Sequence, residues 1–353
     1  AVSISAKELK ICLRGPTSEI NSCLDSLFSE YLKQKSTIDD LALLEQLGNE
    51  DSNIRLSCHP IVHAIGRETF IKEGTIPDSF AACDQTCHSG CYHGAVERFL
   101  RGEESSDSIV HLSEEEIAQK INGACSAYAY NEYRFRFQCL HGLGHAVMFF
   151  LDYKLEKALQ ICESTGDLWS QSSCWGGVFM ENVFSSSPQK RDLSPADYHY
   201  PCSKLAEKYK ADCYMMQTTR MTEMGLGIEG LFTECRKAGN FSRYCFQSIG
   251  RDLSNDARIM DPGITSKKCE GLDAQEQDAC IRGVIYALID NTWNGRYAFP
   301  FCDSFEESEA ETYCFKASFD YLKGTFTKSK QDLVKDCETY VFSSQVCVSI
   351  AKD

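Results

Sequence analysis

Apolar residues recur along this chain with the period of a helix. Leu155, Ala158, Leu159 and Cys162 fall at i, i+3, i+4 and i+7, as do Ile20, Cys23, Leu24 and Leu27, and that spacing sets each group on one stripe of a helix. Alternating valine-rich runs, the mark of half-buried strands, are absent. Helix start signals fit the same picture. Ser113-x-x-Glu116 reads as a capping box, and Ser194-Pro195 reads as an N-cap followed by proline at the first helical position. The pattern predicts an all-α protein.

The cysteines give this pattern a longer period. Eight pairs stand 10 to 14 residues apart: Cys12/Cys23, Cys125/Cys139, Cys162/Cys174, Cys202/Cys213, Cys235/Cys245, Cys269/Cys280, Cys302/Cys314 and Cys337/Cys347. Structural zinc wants closely spaced C-x2-4-C knuckles, and only Cys83, Cys87 and Cys91 approach that spacing. An even total of 20 with a recurring separation predicts a disulfide framework made in an oxidising compartment. For the remaining four, the repeat spacing favours Cys83–Cys91 and Cys58–Cys87, with all three pairings open. The second cysteine of each pair, with Cys58 and Cys91 added, recurs about every 34 residues, the length of a helix-turn-helix repeat. Three residues after it stands a small side chain in most copies: Gly94, Gly142, Gly177, Ser248, Gly283 and Ala317, with Met216 as the departure. Glycine inside a helix costs about 1 kcal/mol against alanine, so its recurrence implies that a neighbouring helix passes close there.

These features predict an α-solenoid of ~34-residue helical hairpins, each stapled by a disulfide worth about 2–3 kcal/mol through the unfolded state. In period, two-helix unit and one bridge per unit, the chain resembles the cysteine-bridged Sel1-like and other tetratricopeptide-like repeat proteins. The resemblance is architectural and implies nothing about function. Three regions are expected: an N-terminal helical cap (1–57), His-rich repeats (58–184) and disulfide-stapled C-terminal repeats (185–353). Two insertions break the period, an acidic one from Arg101 to Glu116 and a Ser- and Pro-rich one from Ser185 to Tyr200, and insertions of this kind often flank a binding face.

Composition narrows the function classes. Lys and Arg number 36 against 51 Asp and Glu, a formal charge of −15, and no basic run offers phosphate a cluster of cations, which argues against nucleic acid or an anionic membrane as partner. Hydrophobic residues make up 43% of the chain, too many for disorder, yet no window approaches the ~18 uninterrupted apolar residues of a bilayer span. The chain begins Ala1-Val2-Ser3, as a secreted product with its leader removed would begin. Asn240-Phe241-Ser242 is a glycosylation acceptor by pattern.

Six of the eight histidines lie in three consecutive repeats: His59 and His63, His88 and His93, His141 and His145. His93 and His141 stand two residues after the repeat cysteine, while Glu97 and His145 stand six after it. His59 and His63 follow Cys58 at one and five, the same pair shifted by one. Each second helix therefore presents an i,i+4 pair, and equivalent faces of successive repeats line one surface. Five imidazoles and one carboxylate are expected to converge. Clustered neutral rings cost desolvation and clustered protonated rings repel, so a shared cation is the expected reason for the arrangement. The expected metal ligands are His59, His63, His93, Glu97, His141 and His145, with His88 as a further candidate.

Imidazole-rich sites suit iron, copper or zinc, as one or two ions. Paired HxxxH helices resemble those of coupled dicopper oxygen-binding proteins, whose bundle fold differs, whereas the Glu97 carboxylate fits a di-iron or di-zinc centre better. Cys83-x3-Cys87-His88 resembles a loosened c-type haem attachment motif and makes haem the runner-up. Arg67 and Glu68, and Glu181 and Asn182, are expected around the ligands, and Tyr92 and Trp175 as packing aromatics. The expected function is a secreted or cell-surface metalloprotein, an oxidoreductase or a metal-assisted hydrolase with Glu97 or Glu181 as general base. The alternative is a non-catalytic solenoid that binds a protein or glycan or builds a surface assembly.

Overall fold

The computed structural model describes residues 4–15, 17–103, 112–128, 132–185, 188–342 and 345–352. These residues form helices and turns and no strand, so the fold is all-α. Two compact units divide the chain, Ala1–Asp192 and Leu193–Asp353. Unit 1 runs α1 (Ala6–Leu13), α2 (Thr17–Leu32), α3 (Thr37–Glu50), α4 (Ser52–Leu56), α5 (Cys58–Glu73), α6 (Ile76–Ala82), α7 (Thr86–Arg101), α8 (Glu114–Ile121), α9 (Tyr133–Phe150), α10 (Leu155–Cys162) and α11 (Leu168–Phe184). Unit 2 runs α12 (Glu207–Glu223), α13 (Ile228–Lys237), α14 (Ser242–Ile259), α15 (Pro262–Glu270), α16 (Ala274–Asp290), α17 (Ala298–Asp303), α18 (Ser308–Phe326), α19 (Lys330–Tyr340) and α20 (Gln345–Lys352). The helices of residues 1–57 belong to the same unit as the His-rich ones, and Asp25 on α2 bonds Arg67 on α5 at 2.7 Å.

Every cysteine is bridged. The eight near pairs join as their spacing predicts, and the remaining four join as Cys58–Cys87 and Cys83–Cys91. From α10 onward the common unit is a short helix followed by a longer one, with the bridge running from the end of the first into the second, as in Cys162–Cys174, Cys235–Cys245, Cys269–Cys280 and Cys302–Cys314. The Ser113 capping box closes as expected, with the Ser113 amide donating to Glu116 Oε2 at 2.8 Å and the Glu116 amide to Ser113 Oγ at 3.2 Å. Ser194 differs. Its Oγ accepts from the amides of Ala196 and Asp197 at 3.1 and 2.9 Å, but no helix follows until Glu207. Asp197 takes the His199 amide at 2.9 Å, and such local side-chain bonds stabilise turns against helix. Of the acidic insertion, residues 104–111 lie outside the described residues.

Three pairs of long helices meet through glycine. A Cβ on Gly94 of α7 would overlap the His63 carbonyl oxygen of α5, and one on Gly66 of α5 would overlap the Cys91 carbonyl oxygen of α7. The same reciprocal contact recurs between α9 and α11, where Gly177 meets the His141 carbonyl and Gly144 the Cys174 carbonyl, and between α14 and α16, where Gly283 meets Gln247 and Gly250 meets Cys280. Three copies of one two-helix clasp are thus superposable by residue. They show that Ile61, not Cys58, stands in the register of Cys139 and Cys245, because Gly66, Gly144 and Gly250 each lie five residues on. This corrects the one-residue offset inferred for α5. His63 occupies the place of His141, and Arg67 that of His145.

Two predictions follow from this packing. Gly283→Ala, which sets a methyl against backbone, will destabilise by roughly 1–3 kcal/mol, whereas Gly324→Ala, exposed within α18 with nothing near its Cβ, will stabilise by about 1 kcal/mol. Opposite shifts of the urea midpoint check the pair. The second concerns Asp40, whose two carboxyl oxygens are buried without a hydrogen-bond partner and whose carboxyl burial pushes up to about 7. A folded-state value above the unfolded one means that the native chain holds a proton the unfolded chain has lost. Stability must therefore fall as pH rises from about 4 through 7, and Asp40→Asn will flatten that decline in unfolding curves measured across the window.

Candidate metal centre

The clasp between α5 and α7 places His59, His63 and His93 on one face, and α9 brings His141 and His145 against them, packed so closely at Gly142 that a Cβ there would stand 3.2 Å from the His93 Cα. His59, His63 and His93 each offer a ligand atom within 4.8 Å of the others. The His93 ring lies 5.2 Å from that of His141 and 5.0 Å from that of His145, centroid to centroid. His145 in turn lies 5.7 Å from His63 and 6.1 Å from His59. The structure therefore brings five imidazoles together. His93, His141 and His145 are 2, 5 and 5% exposed, while His59 and His63 are only partly covered. His88 lies on α7 by its backbone, and its side chain is outside the described residues.

Each ring has one nitrogen facing a protein partner. His59 Nδ1 donates to the Cys87 carbonyl at 2.9 Å, and His145 Nδ1 to Glu181 Oε2 at 2.9 Å. His93 Nε2 donates to Gln138 Oε1 at 3.0 Å, His141 bonds the Ser173 backbone, and His63 Nδ1 lies 3.7 Å from Glu97 Oε2. The opposite nitrogens turn toward one another. His59 Nε2 and His63 Nε2 face each other at 3.2 Å, and with the His59 proton on Nδ1 the lone pair of its Nε2 points at His63. His93 Nδ1, His141 Nδ1 and His145 Nε2 are buried with no hydrogen-bond partner. Burial, and for His93 the neighbouring rings, pushes the His63, His93 and His141 imidazoles below their ordinary range. Burial thus favours the neutral form of these three rings, the form in which imidazole binds a metal.

The carboxylates sit outside this set. Glu97 Oε2 accepts from Arg67 Nη1 at 3.1 Å, and its Oε1 lies 3.7 Å from Arg101 Nη2. Burial alone would raise the Glu97 carboxyl, but Arg67, His63 and Arg101 outweigh it and hold it well below the usual carboxylate range. Glu181 is shared between His145 and the Tyr153 hydroxyl, which donates to Oε1 at 2.9 Å. Arg67 bonds Asp25 at 2.7 Å as well as Glu97, and Glu68 lies beside Ser29 and Arg98. Asn182 pairs with the Asp192 backbone at 2.8 and 3.1 Å. Tyr92 and Trp175 donate to the Cys83 and Leu159 carbonyls, at 3.2 and 3.0 Å, and are buried packing aromatics. Gln138, Ser173, Tyr153 and Arg101 were not expected from the sequence. Only Arg101, four residues after Glu97 on one helix, had a local signal.

Cys83 and Cys87 are both in disulfides, which leaves no thiol for a haem thioether and removes the basis of the haem reading. The chain matches no protein-family model, no curated protein and no solved structure, so the repeat-protein resemblance stays one of architecture.

Glu97→Gln tests the arrangement without any ion. Removing the negative charge leaves Arg67 with Asp25 alone and takes from Arg101 the carboxylate 3.7 Å away, and breaking a buried ion pair typically costs about 3–5 kcal/mol. The variant will unfold at a markedly lower denaturant midpoint in chelator-treated buffer.

Proposed function

We propose that this is a metalloprotein of an oxidising compartment, extracellular, cell-surface or periplasmic, whose unit 1 holds one or two transition-metal ions in a cage of histidine nitrogens. The observation that supports it is the two-sidedness of the imidazoles. The outer nitrogens are engaged by Cys87, Glu97, Gln138, Ser173 and Glu181, while His93 Nδ1, His141 Nδ1 and His145 Nε2 are buried without a partner. A buried unmet polar atom costs about 1–3 kcal/mol, and a ligating histidine characteristically gives its other N–H to a carbonyl or carboxylate, which fixes its tautomer. A cation among the inner nitrogens satisfies both conditions. His59, His63, His93, His141 and His145 are the ligand set, and Glu97 and Glu181 hold rings in place.

The bound ion would supply redox or Lewis-acid chemistry. Both carboxylates that could serve as general base are already engaged, Glu97 by two arginines and Glu181 by His145 and Tyr153. That favours a redox or ion-holding role over hydrolysis, with access from the partly exposed His59 and His63. Exposed Asn240 could carry a glycan in such a compartment. None of the described helices is long and apolar enough to cross a membrane.

Elemental analysis of the disulfide-intact protein tests the proposal. Wild type will carry a transition metal in fixed ratio, and His141→Ala with His145→Ala will abolish it while unit 2 keeps its helix content. Stoichiometric metal retained in the double variant would overturn the cage.

A further inference from the structure

We infer that the cage is built for a monovalent ion, and that this ion is copper(I). The inference rests on the metal reading above and goes beyond it by naming the ion, from the fixed charges that the cage can set against one.

Two carboxylates touch the imidazoles, Glu97 beside His63 and Glu181 beside His145. Glu97 is not free to balance an ion. It belongs to a buried group of four charges in which Arg67 bonds both Asp25 and Glu97, at 2.7 and 3.1 Å, and Arg101 lies 3.7 Å from Glu97. Two guanidiniums and two carboxylates sum to zero. Glu68 and Arg98, at the edge of that group, cancel in the same way. Of the two carboxylates that touch the rings, Glu181 is then the one left to oppose whatever sits among them.

The donor atoms add no charge. Imidazole ligates a metal as the neutral ring, and no thiolate exists because every cysteine is oxidised. The cost of moving an ion out of water rises with the square of its charge. A divalent ion in this cage would keep one uncompensated positive charge in a buried site, whereas a monovalent ion would be neutralised. Among the metals that imidazole suits, namely zinc, copper, iron and nickel, copper is the one with an ordinary monovalent state.

Competition titration of the chelator-stripped, disulfide-intact protein tests this. Copper(I) is supplied anaerobically as its acetonitrile complex against a cuprous chelator, and zinc(II) and iron(II) are supplied against chelators of known affinity. Copper(I) will bind at least ten-fold more tightly than either divalent ion. Charge variants should move that ratio in opposite directions. Gln138→Glu, isosteric at the His93 partner, adds a negative charge and will narrow the gap between copper(I) and zinc(II) at least ten-fold. Glu181→Gln removes the one balancing charge and will widen it, because a divalent ion loses twice the Coulombic attraction. Far-UV circular dichroism establishes that each variant is folded, and either one alone decides the sign. Zinc(II) or iron(II) binding as tightly as copper(I), or a ratio that does not respond to the folded variants, would overturn the inference while leaving a histidine metal site in place. Failure of every metal to bind would overturn the site itself.

Discussion

The contact on which the His-rich face depends is backbone against backbone. Where Gly94 and Gly66 cross, α5 and α7 approach so closely that neither position has room for a methyl group. Gly177 and Gly144 impose the same constraint on α9 and α11. A helix pair held this tightly has little freedom to rotate or slide, because any shift drives a Cα into a carbonyl oxygen. The side chains next to the contact inherit that rigidity. His63 is the residue whose carbonyl Gly94 meets, and His141 the one whose carbonyl Gly177 meets. These two imidazoles therefore project from the clasp contacts themselves, which suits a preorganised ligand set.

The disulfides do a different job. Each bridge closes a short loop and stabilises chiefly by restricting the unfolded chain, so it fixes which helix follows which without setting the distance between imidazoles. Cys58–Cys87 is the exception. It lies within the histidine region, joining the start of α5 to the first turn of α7, where the Cys87 carbonyl takes the His59 N–H. Here the covalent link and the ring's outer hydrogen bond share one residue, so the staple also orients a candidate ligand.

Comparison of the three clasps shows how one framework carries different chemistry. The positions of His141 and His145 are held by His63 and Arg67 in the first clasp and by Gln247 and Arg251 in the third. Where unit 1 has an imidazole at His145, the equivalent Arg67 is a permanent cation, and it neutralises Glu97. That exchange removes Glu97 from the inner set and leaves the cage all nitrogen. In unit 2 the corresponding Arg251 bonds Thr219 and Asp252, at 2.8 and 2.6 Å, and no imidazole stands beside it in the clasp register. The glycine contact is retained in all three copies, whereas the chemistry is confined to unit 1.

Helix content, the disulfide framework and the choice of histidines were legible in the sequence because each rests on local spacing. A cysteine 10 to 14 residues from its partner has few alternatives once helices are stapled, and an i,i+4 histidine pair shares a face wherever its helix goes. Tertiary structure alone decided the rest. The register of α5 is set by Gly66 meeting Cys91 across helices, a contact invisible in a count from Cys58. Glu97 shares the spacing of His145 yet faces Arg67, which lies 30 residues away. Gln138 and Ser173 become ring acceptors only because α9 and α11 cross where they do. Spacing fixes which side chains share a helix face, but which groups meet across helices, and hence the charge left to face an ion, depends on packing between segments that the sequence does not place side by side.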